Sequence, residues 1–334
     1  MNGVRGVETH GDYVYISKGL LNGLYEQVQR FNLQVHLTAI KKAADRLVET
    51  QNEDGGWDWT NPDTDPATGV PSRVHTLGVT AQGVLDAYRL TENPAYLAAC
   101  IKTYDGMAAQ GPDWRIRGPD LPYLVELSEV TGEEDYADFA LDKYKDALDK
   151  VGEGTAKGLA EWIVVIREPY PGLISWDIDH YLQGASALHR YFAEERYLND
   201  AKAMAEVIYK AYFGDSPALD FEDDTQSYYW LAHTGAIQSF ATTGIHPDKM
   251  HELKEALINS QGEKGCFLDG VYCDPQVTAY AVIALLKIAE KDSAAKGVDH
   301  LMTVQNGNGC WTYGTTEYTE VTSEAAQAIH DEAG

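Results

Sequence analysis

Two kinds of helix-forming segment alternate along this chain, and that alternation restricts the folds open to it more than any other feature. One kind is rich in small residues and apolar on most faces: GVTAQGVLDAY (78–88), HYLQGASALHRYF (180–192), VTAYAVIALLKI (277–288) and VTSEAAQAI (321–329). A helix with so little polar face is buried on all sides. The other kind is amphipathic and charged: LTAIKKAADRLVET (37–50), DYADFALDKYKDALDK (135–150), LNDAKAMAEVIYKAYF (198–213), HELKEALINS (251–260) and AAKGVDHLMTV (294–304). Apolar spacing at i, i+3, i+4 and i+7 predicts helices over 16–33, 35–51, 74–91, 94–109, 120–131, 134–150, 155–168, 177–193, 196–212, 223–243, 248–261, 275–290, 293–305 and 320–332. Inner and outer helices in turn imply hairpins packed side by side. The expected architecture is all-α, an (α/α)6 toroid whose inner helices close a ring; an open superhelix is the alternative. One domain spans 1–334, with residues 1–34 as an N-terminal extension and 155–168 as an additional helix.

A short repeat marks the joints between hairpins. Three outer segments end in Gln, a Gly-rich turn and an aromatic: ADRLVETQNEDGGWDW (44–59), LKEALINSQGEKGCF (253–267) and VDHLMTVQNGNGCWTYG (298–314). Gln at a helix end can satisfy backbone groups of the neighbouring turn, glycine permits positive φ, and the ring covers the junction. These segments, on Gln51/Gly56/Trp57, Gln261/Gly265/Phe267 and Gln305/Gly309/Trp311, resemble the QW motif of the squalene–hopene cyclase and protein prenyltransferase superfamily. The resemblance implies the toroid fold, which also serves glycosidases, polysaccharide lyases and binding proteins. Glu222-Asp223-Asp224-Thr225 resembles the DxDDT motif of class II terpene cyclases, which implies Asp223 as the proton donor to an isoprenoid; Phe221 stands where the motif's first Asp belongs. The Asp-x-Cys of the prenyltransferase zinc site has no match, since Asp269-Gly270-Val271 lacks the thiol.

Charge excludes several functions. Lys plus Arg number 26 against 52 Asp plus Glu, a formal charge of −26. Such a chain repels nucleic acid and anionic membranes. There is no apolar run of the roughly 18 residues that a spanning helix needs. MNGVRGVETHGDYVYISKGL lacks the apolar core of a signal peptide, so a soluble protein is expected and export stays open. Cys100, Cys266, Cys273 and Cys310 form no CxxC pair; they read either as buried thiols or as a disulfide among the last three. No GxSxG, HExxH, GxGxxG or P-loop is present, and neither cofactor nor metal is expected.

The loops that enter the inner segments carry the chemistry. DWTNPDTDPATGVPSRVH, DWRIRGPD, SWDIDHY, DFEDDTQSYYW, LDGVYCDPQ and YGTTEYTE each hold a carboxylate, and nearly all hold an aromatic, whereas LTENPAY, VTGEED and AEERY at the other end are plain. Asp at a helix start is often only a cap, but capping does not explain the adjacent rings. Four carboxylates within Asp220–Asp224 cannot all stay ionised if buried, so one of Asp223 and Asp224 becomes the candidate acid. Asp177 and His180 share a helix face, and Asp177 or Asp179 is the candidate base or second carboxylate. Trp59, Trp114, Trp176, Tyr228, Tyr229, Tyr272 and Tyr313 are candidate stacking surfaces, with Arg73, His75, Arg115 and Asp274 as polar contacts. The expected function is cleavage of a glycosidic bond, by a hydrolase or a polysaccharide lyase, on a small-molecule or oligosaccharide substrate. A terpene-cyclase-like protonation by Asp223 and a non-catalytic binding or surface module are the alternatives. The sequence does not specify oligomeric state.

Overall fold

The structure, a computed structural model, describes residues 7–10, 13–16, 18–60, 77–111, 115–269 and 272–333, with the backbone alone over 7–32 and at 269. A short antiparallel pair, β1 (Val7–His10) and β2 (Tyr13–Ile16), precedes α1 (Lys18–Thr50). Then follow α2 (Leu77–Thr91), α3 (Pro94–Ala108), α4 (Asp120–Thr131), α5 (Asp135–Val151), α6 (Ala156–Ile166), α7 (Ile174–Phe192), α8 (Glu195–Phe213), α9 (Tyr229–Thr243) and α10 (Pro247–Ser260). The small hairpin β3 (Leu268–Asp269)/β4 (Tyr272–Cys273) leads into α11 (Pro275–Lys287), then α12 (Lys291–Val304), the hairpin β5 (Thr312–Tyr313)/β6 (Thr316–Glu317) and α13 (Thr319–Ala333).

The packing closes a ring. α2, α4, α7, α9, α11 and α13 touch in that order, and α13 packs back on α2. α1, α3, α5, α8, α10 and α12 lie outside them, and α6 is an extra helix between α5 and α7. The inner members bury small residues on nearly every face; in α9, Leu231 through Phe240 are all buried. The protein is therefore an α/α toroid of six hairpins.

The three Gln-aromatic repeats act as staples between outer helices. Gln51 Nε2 donates to the Ala99 carbonyl of α3 at 2.9 Å, Gln261 Nε2 to the Ser293 carbonyl of α12 at 2.8 Å, and Gln305 Nε2 to the Ala39 carbonyl of α1 at 2.9 Å. Each Gln also donates to its own turn, at Gly55, Gly265 and Gly309. Those glycines have φ of 86°, 83° and 97°, and a Cβ on them would meet a backbone oxygen at 2.1–2.2 Å, so only glycine fits. Gly55, not Gly56, is thus the counterpart of Gly265 and Gly309. The third staple joins the last outer helix to the first. Thr319 Oγ1, donating to the Asp58 carbonyl at 2.9 Å, and Thr319 N, donating to the Trp59 carbonyl at 3.2 Å, seal the same seam.

Three boundaries differ from the sequence expectation. The helices expected at 16–33 and 35–51 are one, because neither glycine nor proline separates them. α7 starts three residues early and takes Asp177 into its first turn. α9 starts at Tyr229 rather than 223, because residues 220–228 hold themselves in turns: Gln226 Nε2 donates to the Asp220 and Asp223 carbonyls at 2.6 and 2.9 Å. No described helix is long and apolar enough to cross a membrane.

Paired charges span the far end of the ring. Arg89 bonds Asp86 at 3.2 Å and Glu126 at 2.7 Å, Arg190 bonds Glu129 at 2.9 Å, and Lys287 Nζ donates to Gln183 at 2.8 Å. Asp86 and Asp179 are buried within this band.

Candidate active site

All inner helices begin at one end of the ring, and the loops into them wall a pocket there. It has two lobes, of about 330 and 260 Å³, which share Trp59, Tyr228, Leu231, Gln276 and Glu320 in their walls. The larger lobe adds Arg115, Arg117, Trp162, Arg167, Trp176, Asp177 and His180; the smaller adds Asp224, Tyr229, Asp274, Tyr313 and Tyr318. Arg115 lies over the Trp162 ring, 4.7 Å from its centroid. Neither Arg115 nor Arg117 forms an ion pair among the described residues, although the charge of Arg117 acts on the buried Asp120 carboxyl.

One carboxyl of α13, Glu320, lines both lobes, and a second, Glu324, is buried behind it. Thr319 through Ala326 are all buried, so this stretch of helix has no solvent face on which to place Glu320 and Glu324. They stand one turn apart, 8% and 1% exposed, and hydrogen-bond to each other. Gln276 Nε2 donates to Glu324 at 3.0 Å, and the Tyr280 hydroxyl donates to its other oxygen. Burial raises both carboxyls above the ordinary glutamate range; Glu324 rises further because it faces the charge of Glu320, and the charge of Asp177 adds to the rise at Glu320. Two such groups titrate as one unit. Asp177, from the first turn of α7, is ion-paired with Arg167 Nε. One turn on, burial pushes the His180 imidazole down to about 3, so it is neutral across the physiological range, and its Nδ1 is buried without a hydrogen-bond partner. The site thus holds a carboxyl raised by burial, Glu320, backed by Glu324, together with an Arg-paired carboxylate, a neutral imidazole and two guanidinium groups outside any ion pair, among aromatic walls.

The structure brings together Trp59, Arg115, Trp176, Asp177, His180, Asp224, Tyr228, Tyr229, Asp274 and Tyr313. Asp274 is the N-cap of α11, accepting from Gln276 N at 2.7 Å and Val277 N at 3.1 Å, and it also receives the Tyr313 hydroxyl. Asp223 departs from expectation. It lies on the surface and accepts from Thr225 N and Thr225 Oγ1 at 3.1 and 2.6 Å, and these bonds hold its carboxyl below the usual range. An exposed group that yields its proton so readily is no acid at neutral pH. Asp179 also departs. Two helical residues beyond Asp177 is a rotation of about 200°, which turns it to the far band. There it accepts from Ser239 Oγ at 2.7 Å and Gln183 Nε2 at 2.8 Å, and burial pushes it up to about 6. Tyr272, 77% exposed at the start of β4, lines neither lobe. Arg73, His75 and Trp114 lie outside the described residues.

Glu320, Glu324, Gln276, Tyr280 and Arg167 were not anticipated. One signal was present: two acids four residues apart inside a segment otherwise made of Val, Thr, Ser and Ala, where no helix face is free for charge.

Neither a protein-family model nor a curated protein sequence matches this chain. Known structures do resemble it. An inactive variant of an α-1,6-mannanase of Salegentibacter sp., in complex with α-1,6-mannotriose, aligns with a TM-score of 0.60 at 10% identity, over 89% of this chain and 99% of that one. A cellobiose 2-epimerase from Bacillus thermoamylovorans aligns with a TM-score of 0.61 at 11% identity, over 89% and 98%. A type II terpene cyclase variant from Scytonema, in complex with geranylgeranyl dihydroxybenzoate, aligns with a TM-score of 0.56 at 14% identity, over 90% and 98%. At these identities the likeness is one of fold, and it places this chain among the α/α toroids.

Proposed function

We propose that the protein is a carbohydrate-active enzyme that cleaves a glycosidic bond in the axial pocket. The observation that carries this reading is that Glu320, buried and backed by the buried Glu324, lines the same lobe as the Arg-paired Asp177. Glycoside hydrolysis needs one carboxyl that holds its proton and another that is ionised, on either side of the scissile bond. Glu320 is the acid: it protonates the leaving oxygen as the anomeric C–O bond breaks. Asp177 is the base: it takes a proton from the water that attacks the anomeric carbon. Glu324, Gln276 and Tyr280 hold Glu320 in place. Trp59, Trp176 and Tyr228 give flat faces for sugar rings, and Arg115 and Arg117 favour a substrate with a carboxylate or sulfate.

A second reading has a specific observation behind it. His180 is neutral with an unpartnered nitrogen beside arginines, which is what a lyase needs to take the C5 proton of a uronate and eliminate the glycosidic oxygen. The surface position of Asp223 argues against isoprenoid protonation. The test is a panel of neutral oligosaccharides, uronate oligosaccharides and isoprenoid diphosphates offered to wild type, Glu320→Gln, Asp177→Asn and His180→Gln. Hydrolysis lost by roughly 10²–10⁴-fold in the first two variants supports the leading reading. An unsaturated product that His180→Gln abolishes replaces it with the lyase. No turnover of any member of the panel refutes both.

A further inference from the structure

A second cluster of chemically reactive side chains lies outside the pocket. Cys266, Cys273 and His300 place two sulfurs and a ring nitrogen within 4.8 Å of one another. Three elements bring them together. Cys266 sits in the Gln-aromatic turn after α10, Cys273 ends β4 next to the α11 cap Asp274, and His300 is on the outer helix α12. Gly265 packs against the Lys296 carbonyl, which fixes the turn on α12 one helical turn from His300. The two cysteines are joined as a disulfide, with Cα atoms 5.6 Å apart. His300 is 8% exposed and makes no hydrogen bond to another described residue, so its lone pair is unspent.

We infer that Cys266, Cys273 and His300 form a binding site for a thiophilic divalent cation such as Zn²⁺, open in the reduced chain and closed by the disulfide. Two thiolates and one imidazole make a soft N/S donor set, and a tetrahedral ion fills its fourth position with water. Zn–S bonds of about 2.3 Å in a tetrahedron separate sulfurs by about 3.7 Å. That is wider than a disulfide, so one pair of cysteines cannot serve both states. The exchange balances. A thiol or phosphine reductant gives two electrons, and two protons are taken up, as the S–S bond becomes two thiols; the metal then displaces both thiol protons and binds the neutral imidazole. The site is separate from the axial pocket, since none of its three ligands lines either lobe.

The test uses the full chain, reduced under anaerobic conditions and freed of reductant, then titrated with Co²⁺ and back-titrated with Zn²⁺. One equivalent of Co²⁺ with a thiolate charge-transfer band and tetrahedral d–d absorption is expected, and no band in the oxidised chain. Cys100→Ser/Cys310→Ser leaves the signal intact. His300→Ala and His300→Gln each weaken binding by at least about tenfold, and Cys273→Ser removes the charge-transfer band. Circular dichroism identifies any variant that fails to fold; with two His300 replacements, one folded variant suffices. A reduced wild type that binds no more Co²⁺ than Cys273→Ser overturns the inference, as does a folded His300 variant with unchanged affinity.

Discussion

Ring closure is the part of the fold most open to a quantitative test, because one chemical device occurs at three joints and only one of them joins the chain's last outer helix to its first. Gln305→Ala removes the donations to Ala39 at 2.9 Å and Gly309 at 3.0 Å. At about 1 kcal/mol each, the loss is about 2 kcal/mol. Gly309→Ala costs more. An alanine at φ 97° carries roughly 1–3 kcal/mol of backbone strain, and its Cβ would lie 2.2 Å from the Lys42 oxygen, a backbone atom that moves only if α1 moves. A total of about 4 kcal/mol is expected, in the range of the largest single-residue effects. Gln261→Ala and Gly265→Ala are internal controls with the same local geometry, and they should cost similar amounts in urea unfolding followed by circular dichroism. Activity separates the joints. Loosening α12 from α1 also loosens α13, and with it Glu320 against Asp177, so Gln305→Ala lowers kcat under folding conditions while Gln261→Ala leaves it near wild type. A Gly309→Ala chain that unfolds at the wild-type urea midpoint would refute the reasoning.

Three further outcomes follow from the site and its surroundings. Asp223→Asn should leave activity within about twofold of wild type, since the residue is an exposed turn former; a loss comparable to that of Glu320→Gln would return the acid role to it. Arg115→Met and Arg117→Met should raise KM for anionic sugars with little change for neutral ones, and unchanged discrimination in a substrate panel would remove the case for an anionic ligand. Burial pushes Asp86 up to about 7 despite its bond to Arg89. The folded chain then keeps a proton that the unfolded chain loses near pH 4, so the stability from this residue is full below that pH and falls as pH rises through 7, by at most about 4 kcal/mol. Asp86→Asn should remove that part of the fall between pH 5 and pH 8 in urea unfolding; an unchanged fall would show that Asp86 is ionised throughout.

The toroid was legible because its evidence is periodic. Hydrophobic spacing distinguishes inner from outer helices without any distance information, and the Gln-aromatic turns name the joints. The pocket's position was legible too, from loops rich in acids and rings at one end only. Individual roles were not. Asp177 and Asp179 look equivalent in sequence, yet about 200° of helix rotation sends one to the mouth and the other to the far band. The run Asp220–Asp224 reads as a crowded, strained cluster, but the side chain of Gln226 folds it into solvated turns, where crowding costs little. Glu320 and Glu324 came from a segment that reads as plain core, because Gln276 and Tyr280, whose hydrogen bonds make the burial of Glu324 tolerable, are far away in sequence.

The charged band at the far end of the ring also limits what can be processed. Tyr280, Glu324 and Asp179 are all buried, and Arg89 pairs with Asp86 and Glu126 towards the other ends of the inner helices. Under the proposed function, a ring packed in this way would admit a sugar chain by its terminus, and a released fragment would leave by the way it came. The proposed enzyme would then trim from chain ends or turn over short oligomers in preference to cutting in mid-chain.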